Sequence, residues 1–232
     1  GEELVNRLNN ACAQGNSTFH STGLNPGWMG DLMPLLMASL CERIDHIHVK
    51  EISNFQYYPS PEIMFGSMGF GSSPEEFHAK GARRTTWLNG LFTESLQMVA
   101  DGIGLDIDAV TSTIDIDVAP EDVETASGLV KKGTVAGQHW RWSGVKDGVE
   151  KIAHETIWRM HKSAGPDWAT GKHSIKFDGN PNMFIEFGEG YISDGLLGTA
   201  MHAINAIDAV CDADQGIKTF LDLPWLLPTK RH

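Results

Sequence analysis

The stretch Gln138-His139-Trp140-Arg141-Trp142-Ser143-Gly144-Val145-Lys146-Asp147-Gly148-Val149-Glu150 decides the fold. Residues 134–145 alternate around Trp140 and Trp142, and residues 149–160 alternate again, with Ile152, His154, Thr156 and Trp158 on one face. Lys146-Asp147-Gly148 between them has the chemistry of a tight turn, so the two segments form a β-hairpin. Further strands are expected outward from it. One spans Asp106 to Val118. Another spans Ile44 to Ser53, with Ile47 and Val49 on one face and His46, His48 and Lys50 on the other. Residues 173–177 add a strand, and Ser17 to Thr22 a short one. Helical spacing marks residues 2–14, Trp28 to Leu40, Thr85 to Ala100, and Asp194 to Cys211. Pro34 either stands in the first turn of a late-starting helix or kinks the Trp28–Leu40 helix. Residues 54–61 read as a loop and residues 62–80 as short helices interrupted by glycine. The sum is an α+β fold, a mixed and mainly antiparallel sheet backed by helices on one face.

The chain has 232 residues, 41% of them apolar and 21% charged, an ordinary globular balance. Its 18 Lys and Arg stand against 30 Asp and Glu, a net charge of -12, which disfavours nucleic acid as a partner. No apolar run is long enough for a membrane span, and no signal peptide is visible. The first residue is Gly rather than Met, so the native N-terminus is expected to lie outside this chain. Cys12, Cys41 and Cys211 are widely spaced and odd in number, the pattern of buried reduced thiols in a cytoplasmic protein.

Several constellations could carry chemistry. Asn54, Tyr57 and Tyr58 follow a strand end, where a loop held over a rigid sheet can hydrogen-bond an amine or a carbonyl. His139 and Arg141 share a strand face that could meet a substrate, while Trp140 and Trp142 read as core or interface aromatics. Trp28 opens an apolar helix after Asn25-Pro26-Gly27, as core packing or as pocket wall. His46 and His48 could reach one metal, but spacing offers no third ligand, so a solvated sheet face is the expectation and no metal site is assigned. Residues 101–130 hold eight acids and no Lys, Arg or His; Asp115 and Asp117 are read as a solvated strand face. There is no G-x-G-x-x-G after a strand. The glycine-rich run Gly66-Ser67-Met68-Gly69-Phe70-Gly71 lacks the preceding strand and reads as a loop closing over substrate more readily than as a phosphate cradle.

Four segments in order then carry a resemblance. They are Gly23-Leu24-Asn25-Pro26-Gly27-Trp28, Glu51-Ile52-Ser53-Asn54-Phe55, Tyr57-Tyr58-Pro59-Ser60-Pro61-Glu62, and Gly198-Thr199-Ala200-Met201-His202-Ala203-Ile204-Asn205-Ala206-Ile207. From about residue 4 to about residue 225 the chain resembles the C-terminal part of the dihydrodipicolinate-reductase-like dehydrogenases. The most similar branch is that of 2,4-diaminopentanoate dehydrogenase and the NAD(P)-dependent amine dehydrogenases. The Lys-Val-Asp-Ala-Pro-Ser-Gly signature of dihydrodipicolinate reductase is missing, which speaks against that reaction.

The resemblance implies the substrate-binding and dimerisation part of an NAD(P)H-dependent oxidoreductase acting on CH–NH2 groups, with most or all of its Rossmann cofactor domain absent. Residues 1–22 would be a remnant of, or link to, that dinucleotide-binding domain. Residues 23–190 would bind substrate and dimerise, and residues 191–232 would pack back toward the cofactor domain. NADP or NAD would serve the intact enzyme, and this chain alone would neither hold it tightly nor be active. The partners implied are an amine or ketone and ammonia. The charge-stabilising carboxylate is expected from the missing half. Pocket residues would be Trp28, Asn54, Tyr57, Tyr58, His139, Thr199 and His202. A non-catalytic binding or oligomerisation domain is the rival reading, and an imine or enamine reductase a further one. The aromatic bulk of Trp140, Trp142, Trp158 and Met160 exceeds what a solvated face tolerates, so a homodimer packed sheet to sheet through residues 134–145 and 149–160 is expected.

Overall fold

The structure is a computed structural model, and it describes residues 2–188 and 195–228. Six strands form the central sheet in the order β3-β6-β7-β2-β8-β9. They are β2 (Arg43–Asn54), β3 (Ala109–Val118), β6 (Val135–Lys146), β7 (Val149–Arg159), β8 (Ser174–Asn180) and β9 (Met183–Glu186). Only the central β2–β7 pair is parallel; all other neighbours are antiparallel, so the sheet is mixed as the alternation predicts. The hairpin closes with Lys146 opposite Val149. Asp147 and Gly148 take φ of 50° and 76°, the left-handed pair of a type I′ turn. That is why Asp-Gly stands there.

Helices cover one face. A π-helical turn, Trp28–Leu32, runs into α2 (Met33–Ala38), and Pro34 sits in the first turn of α2, where its missing N–H costs nothing. Helix α3 (Pro74–Ala79) leads to α4 (Gly81–Ile103), which buries Leu88, Phe92, Leu96 and Val99 at helical spacing. Phe92 stacks on Trp142 at 3.8 Å and 9°, and Trp142 stacks on Trp140 at 5.3 Å. Trp140, Trp142, Trp158 and Met160 are all buried inside this one chain. This aromatic bulk, expected to form an intermolecular face, is covered within the chain, by Phe92 over Trp142 and by Phe55 against Trp158, and gives no reason for a second copy on that face.

The opposite face is neither bare nor simply solvated. His46, His48, His139, Arg141, Glu150 and Glu155 form a half-buried ion-pair network there. Arg141 Nη2 donates to Glu150 Oε1 at 2.6 Å, and His48 and His139 meet the two oxygens of Glu155 at 2.7 and 2.8 Å. Burial pushes the Glu150 carboxyl up, but bonds from Arg141, Ser143 and His46 outweigh it and hold it at about 2. Asp115 is exposed, as expected for β3.

Away from the sheet, α1 (Glu2–Gly15), β1 (Thr18–Phe19), α5 (Gly195–Asp212) and β10 (Gly216–Ile217) gather, with β1 and β10 pairing in parallel. Position 194, where the last long helix is expected to start, lies outside the described residues. A small hairpin, β4 (Val123–Thr125) and β5 (Gly128–Val130), completes the strands. Cys12 is buried, Cys41 half-buried and Cys211 exposed, all as free thiols, so only the first fits the expectation of buried ones fully. No helix among the described residues is long and apolar enough to cross a membrane.

Candidate functional site

A cleft of about 630 Å³ opens at the C-terminal end of β2. One wall is Gly23-Leu24-Asn25-Pro26. The 3-10 turn Phe55–Tyr57 with Tyr58 makes another, and Gly195, Leu196 and Thr199 of α5 a third. Its polar floor is Glu51, Ser53 and His173.

Glu51 dominates this floor. It lies on the same face of β2 as the buried Ile47 and Val49 and is only 8% exposed. Asn25 Nδ2 donates to Oε2 at 2.7 Å, while the Ser53 hydroxyl and Trp158 Nε1 donate to Oε1 at 2.7 and 2.8 Å. All three donors are neutral, and no Lys or Arg pairs with Glu51 among the described residues. Oε1 is fully used, whereas Oε2 has accepting capacity left. Burial lowers the pKa of His173, and the nearby Glu51 pulls it the other way. A buried carboxylate held by neutral donors in a cleft can take up a cationic nitrogen. An amine, ammonium or iminium group fits, because desolvation strengthens that attraction.

The expected site residues are brought together in part. Asn54, Tyr57, Tyr58 and Thr199 all line the cleft. Asn54 Oδ1 also accepts the Gln56 N–H at 3.0 Å, capping the 3-10 turn, and Tyr57 is 75% exposed at the rim. Trp28 packs edge-on against Phe187 at 5.9 Å and is not among the residues that line the cleft. His202 is buried and stacks on Phe220 at 5.5 Å, away from the cleft; burial lowers its pKa, with His20 acting the same way. His139 lies on the opposite sheet face, bonded to Glu155 and 5.5 Å from Trp168. Gly66, Ser67 and Gly69 line a second cleft instead of closing over the first.

Sequence reasoning assigned no role to Glu51, Ser53, Asn25 or His173. One signal was present. Continuing the alternation of Ile47 and Val49 puts Glu51 on the apolar face, where an acid is out of place unless it is bonded or used.

Residues 28–229 match the family described as the 2,4-diaminopentanoate dehydrogenase C-terminal domain. The chain belongs to that family. It is 29% identical over 225 residues to the 2,4-diaminopentanoate dehydrogenase of Acetoanaerobium sticklandii, covering 96% of this chain and 62% of that protein. It is 25% identical over 226 residues to the amine dehydrogenase of Streptomyces virginiae, covering 92% of this chain and 62% of that protein. The solved amine dehydrogenase of Mycobacterium smegmatis superposes with a TM-score of 0.80 at 22% identity, over 99% of this chain and 65% of that one, so the two share a fold. The chain thus spans about three-fifths of the length of these curated relatives. Within the family fold, the Glu51 cleft is framed by all four segments that carried the resemblance, residues 23–28, 51–55, 57–62 and 198–207.

Proposed function

We propose that this chain supplies the amine-binding cleft of an NAD(P)-dependent oxidoreductase acting on a CH–NH2 group. The reaction is either reductive amination of a small ketone or aldehyde, or oxidative deamination of an amine or diamino acid. The observation that supports it is Glu51, a buried carboxylate with no Lys or Arg partner among the described residues, on the floor of an otherwise largely apolar cleft beside His173. Its charge would hold ammonium, and then the positive iminium nitrogen, close to Oε2. Asn25, Ser53 and Trp158 fix the carboxylate, so it need not reorganise as charge develops. Phe55 and Tyr58 exclude water from one side, which protects an iminium from hydrolysis.

The rim suits the face of a flat ring, because Tyr57 and Leu196 are exposed at 75% and 53% there. A bound nicotinamide, of NAD or NADP, would give or take the hydride at this edge. The exposed Leu197, Ile207, Trp225 and Leu227 fit cover by a dinucleotide-binding part that residues 1–22 would join to this one. The substrate domain would then run over residues 23–190. A homodimer is the assembly we favour, formed through the ion-paired sheet face beside the 62% exposed Phe184 rather than through the tryptophans. A cytoplasmic setting suits the three free thiols.

The test is to assay the gene product that carries this chain with NADH or NADPH, ammonia and a panel of small ketones and aldehydes. Ammonia-dependent oxidation of the reduced cofactor is expected. Reduction of carbonyl compounds without ammonia would overturn the reading.

A further inference from the structure

A second cleft, about 490 Å³, lies between the glycine-rich run and the start of α4, and the proposed chemistry makes no use of it. Its chemistry is opposite to that of the Glu51 cleft. Lys80, Arg83 and Arg84 stand together at its wall, in a molecule of net charge -12. Arg83 and Arg84 occupy the first turn of a 23-residue helix that has no acid there. Cations at the positive end of a helix dipole repel it, so the arrangement costs stability unless an anion sits beside it.

Arg84 sharpens the point. It is only 8% exposed, yet it forms no ion pair among the described residues. Its Nη2 donates to the Phe77 carbonyl at 2.8 Å, and the guanidinium lies 3.6 Å over the Phe77 ring. Its Nε is buried with no hydrogen-bond partner. The other buried arginine shows what satisfaction looks like: Arg159 gives its donors to the carbonyls of Ala164, Gly165, Trp168 and Ala169. Gly69, at φ 77°, lets the loop come so close to Arg84 that a Cβ there would meet Nη1 at 2.3 Å. One acid, Glu76, shares the cleft, but its carboxylate is paired with Lys80 at 3.3 Å, leaving Arg83 and Arg84 unbalanced.

We propose that this cleft is an anion site for a phosphoryl group, free or as an ester, bound by the Arg84 and Arg83 guanidiniums at the N-terminus of α4 under the Gly66–Gly71 loop. Arginine forks match the tetrahedral oxygens of phosphate, and the 48% exposed Trp87 offers a shelf for a planar group attached to it.

The test is calorimetric titration of the chain with sodium phosphate, and separately with ADP, against sodium chloride at equal ionic strength. Phosphate is expected to bind at about 1 mM or tighter, and chloride not at all. ADP binding at least tenfold tighter than phosphate identifies an ester with a planar group, and equal affinity identifies free phosphate; either supports the site. Arg84→Met should weaken binding tenfold or more. Because that variant may not fold, Gly66→Asp serves beside it: Gly66 lines the cleft and a Cβ there meets nothing within 4 Å, so there is open space for a side chain that adds negative charge at the site. Gly66→Asp should abolish binding while keeping the wild-type circular dichroism spectrum. Phosphate heats no different from chloride, or Gly66→Asp within twofold of wild type, would overturn the proposal.

Discussion

Replacing Asp31 with Asn should tilt the pH dependence of stability, and the structure gives the size of the tilt. Asp31 is buried between the Trp28–Leu32 turn and α4, bonded to Ser95. Burial raises its pKa from 3.8 to about 6, outweighing bonds from Ser95 and the Gly27 backbone. Close by, His154 is fully buried, with Nε2 at 3.2 Å from the Gly30 carbonyl. Burial lowers its pKa from 6.5 to about 4, outweighing that bond. A raised carboxyl contributes stability that is present below its unfolded pKa and lost as pH rises through its folded one. A depressed histidine contributes stability that is present above 6.5 and lost as pH falls through about 4. At 1.36 kcal/mol per pH unit, each gap amounts to about 3 kcal/mol, with opposite signs in nearly the same window. In the wild type the two slopes largely cancel. Asp31→Asn leaves His154 alone, so the stability of the variant minus that of the wild type should climb by about 3 kcal/mol between about pH 4 and pH 7. His154→Gln should make the same difference fall by a similar amount. Urea unfolding followed by tryptophan fluorescence across that range measures both, and subtracting the wild type removes the contribution of Glu150 and other shared carboxylates. Differences flat to within about 1 kcal/mol for both variants would refute the claim that burial sets these two ionisations.

Three further outcomes follow from the cleft and the sheet. Glu51→Gln in the intact gene product should lower turnover with ammonia about 100-fold, as expected when a preorganised charge-stabilising group is removed, with ammonia KM rising too; unchanged kinetics would remove Glu51 from the site. Asn54→Ala should cost about 1 kcal/mol of stability through loss of the cap on the Gln56 N–H, whereas Asn54→Asp should keep it, as urea midpoints would show. Light scattering at micromolar concentration should give a dimer that Arg141→Glu dissociates, since that change breaks the network on the open sheet face; a wild-type monomer would end the dimer proposal.

The sequence determined what periodicity and turn chemistry can encode locally. Alternation over ten or more residues placed β2, β3, β6 and β7, and Asp147-Gly148 marked the tight turn between β6 and β7, because Asp and Gly accept the two positive φ values found there; the register shift between Gly144 and Val145 carries no such signal. The four-residue β9 was not legible, since so short a run shows no period. Of the cleft, the strand-end loop with Asn54, Tyr57 and Tyr58 was readable because chain order alone puts it there. The tertiary structure decided the rest. Side-chain parity along β2 could flag Glu51 as an acid on an apolar face, but only the parallel pairing of β2 with β7 brings Trp158 to it across 107 residues of chain. Pairing of β6 with β7 sets His139 opposite Ile157, on the far side of the sheet. Aromatic bulk in β6 and β7 demanded cover, and nothing local says whether that cover is a second copy or α4. Phe92 stacked on Trp142 answers that, because burial is a property of what packs against a face and not of the face itself.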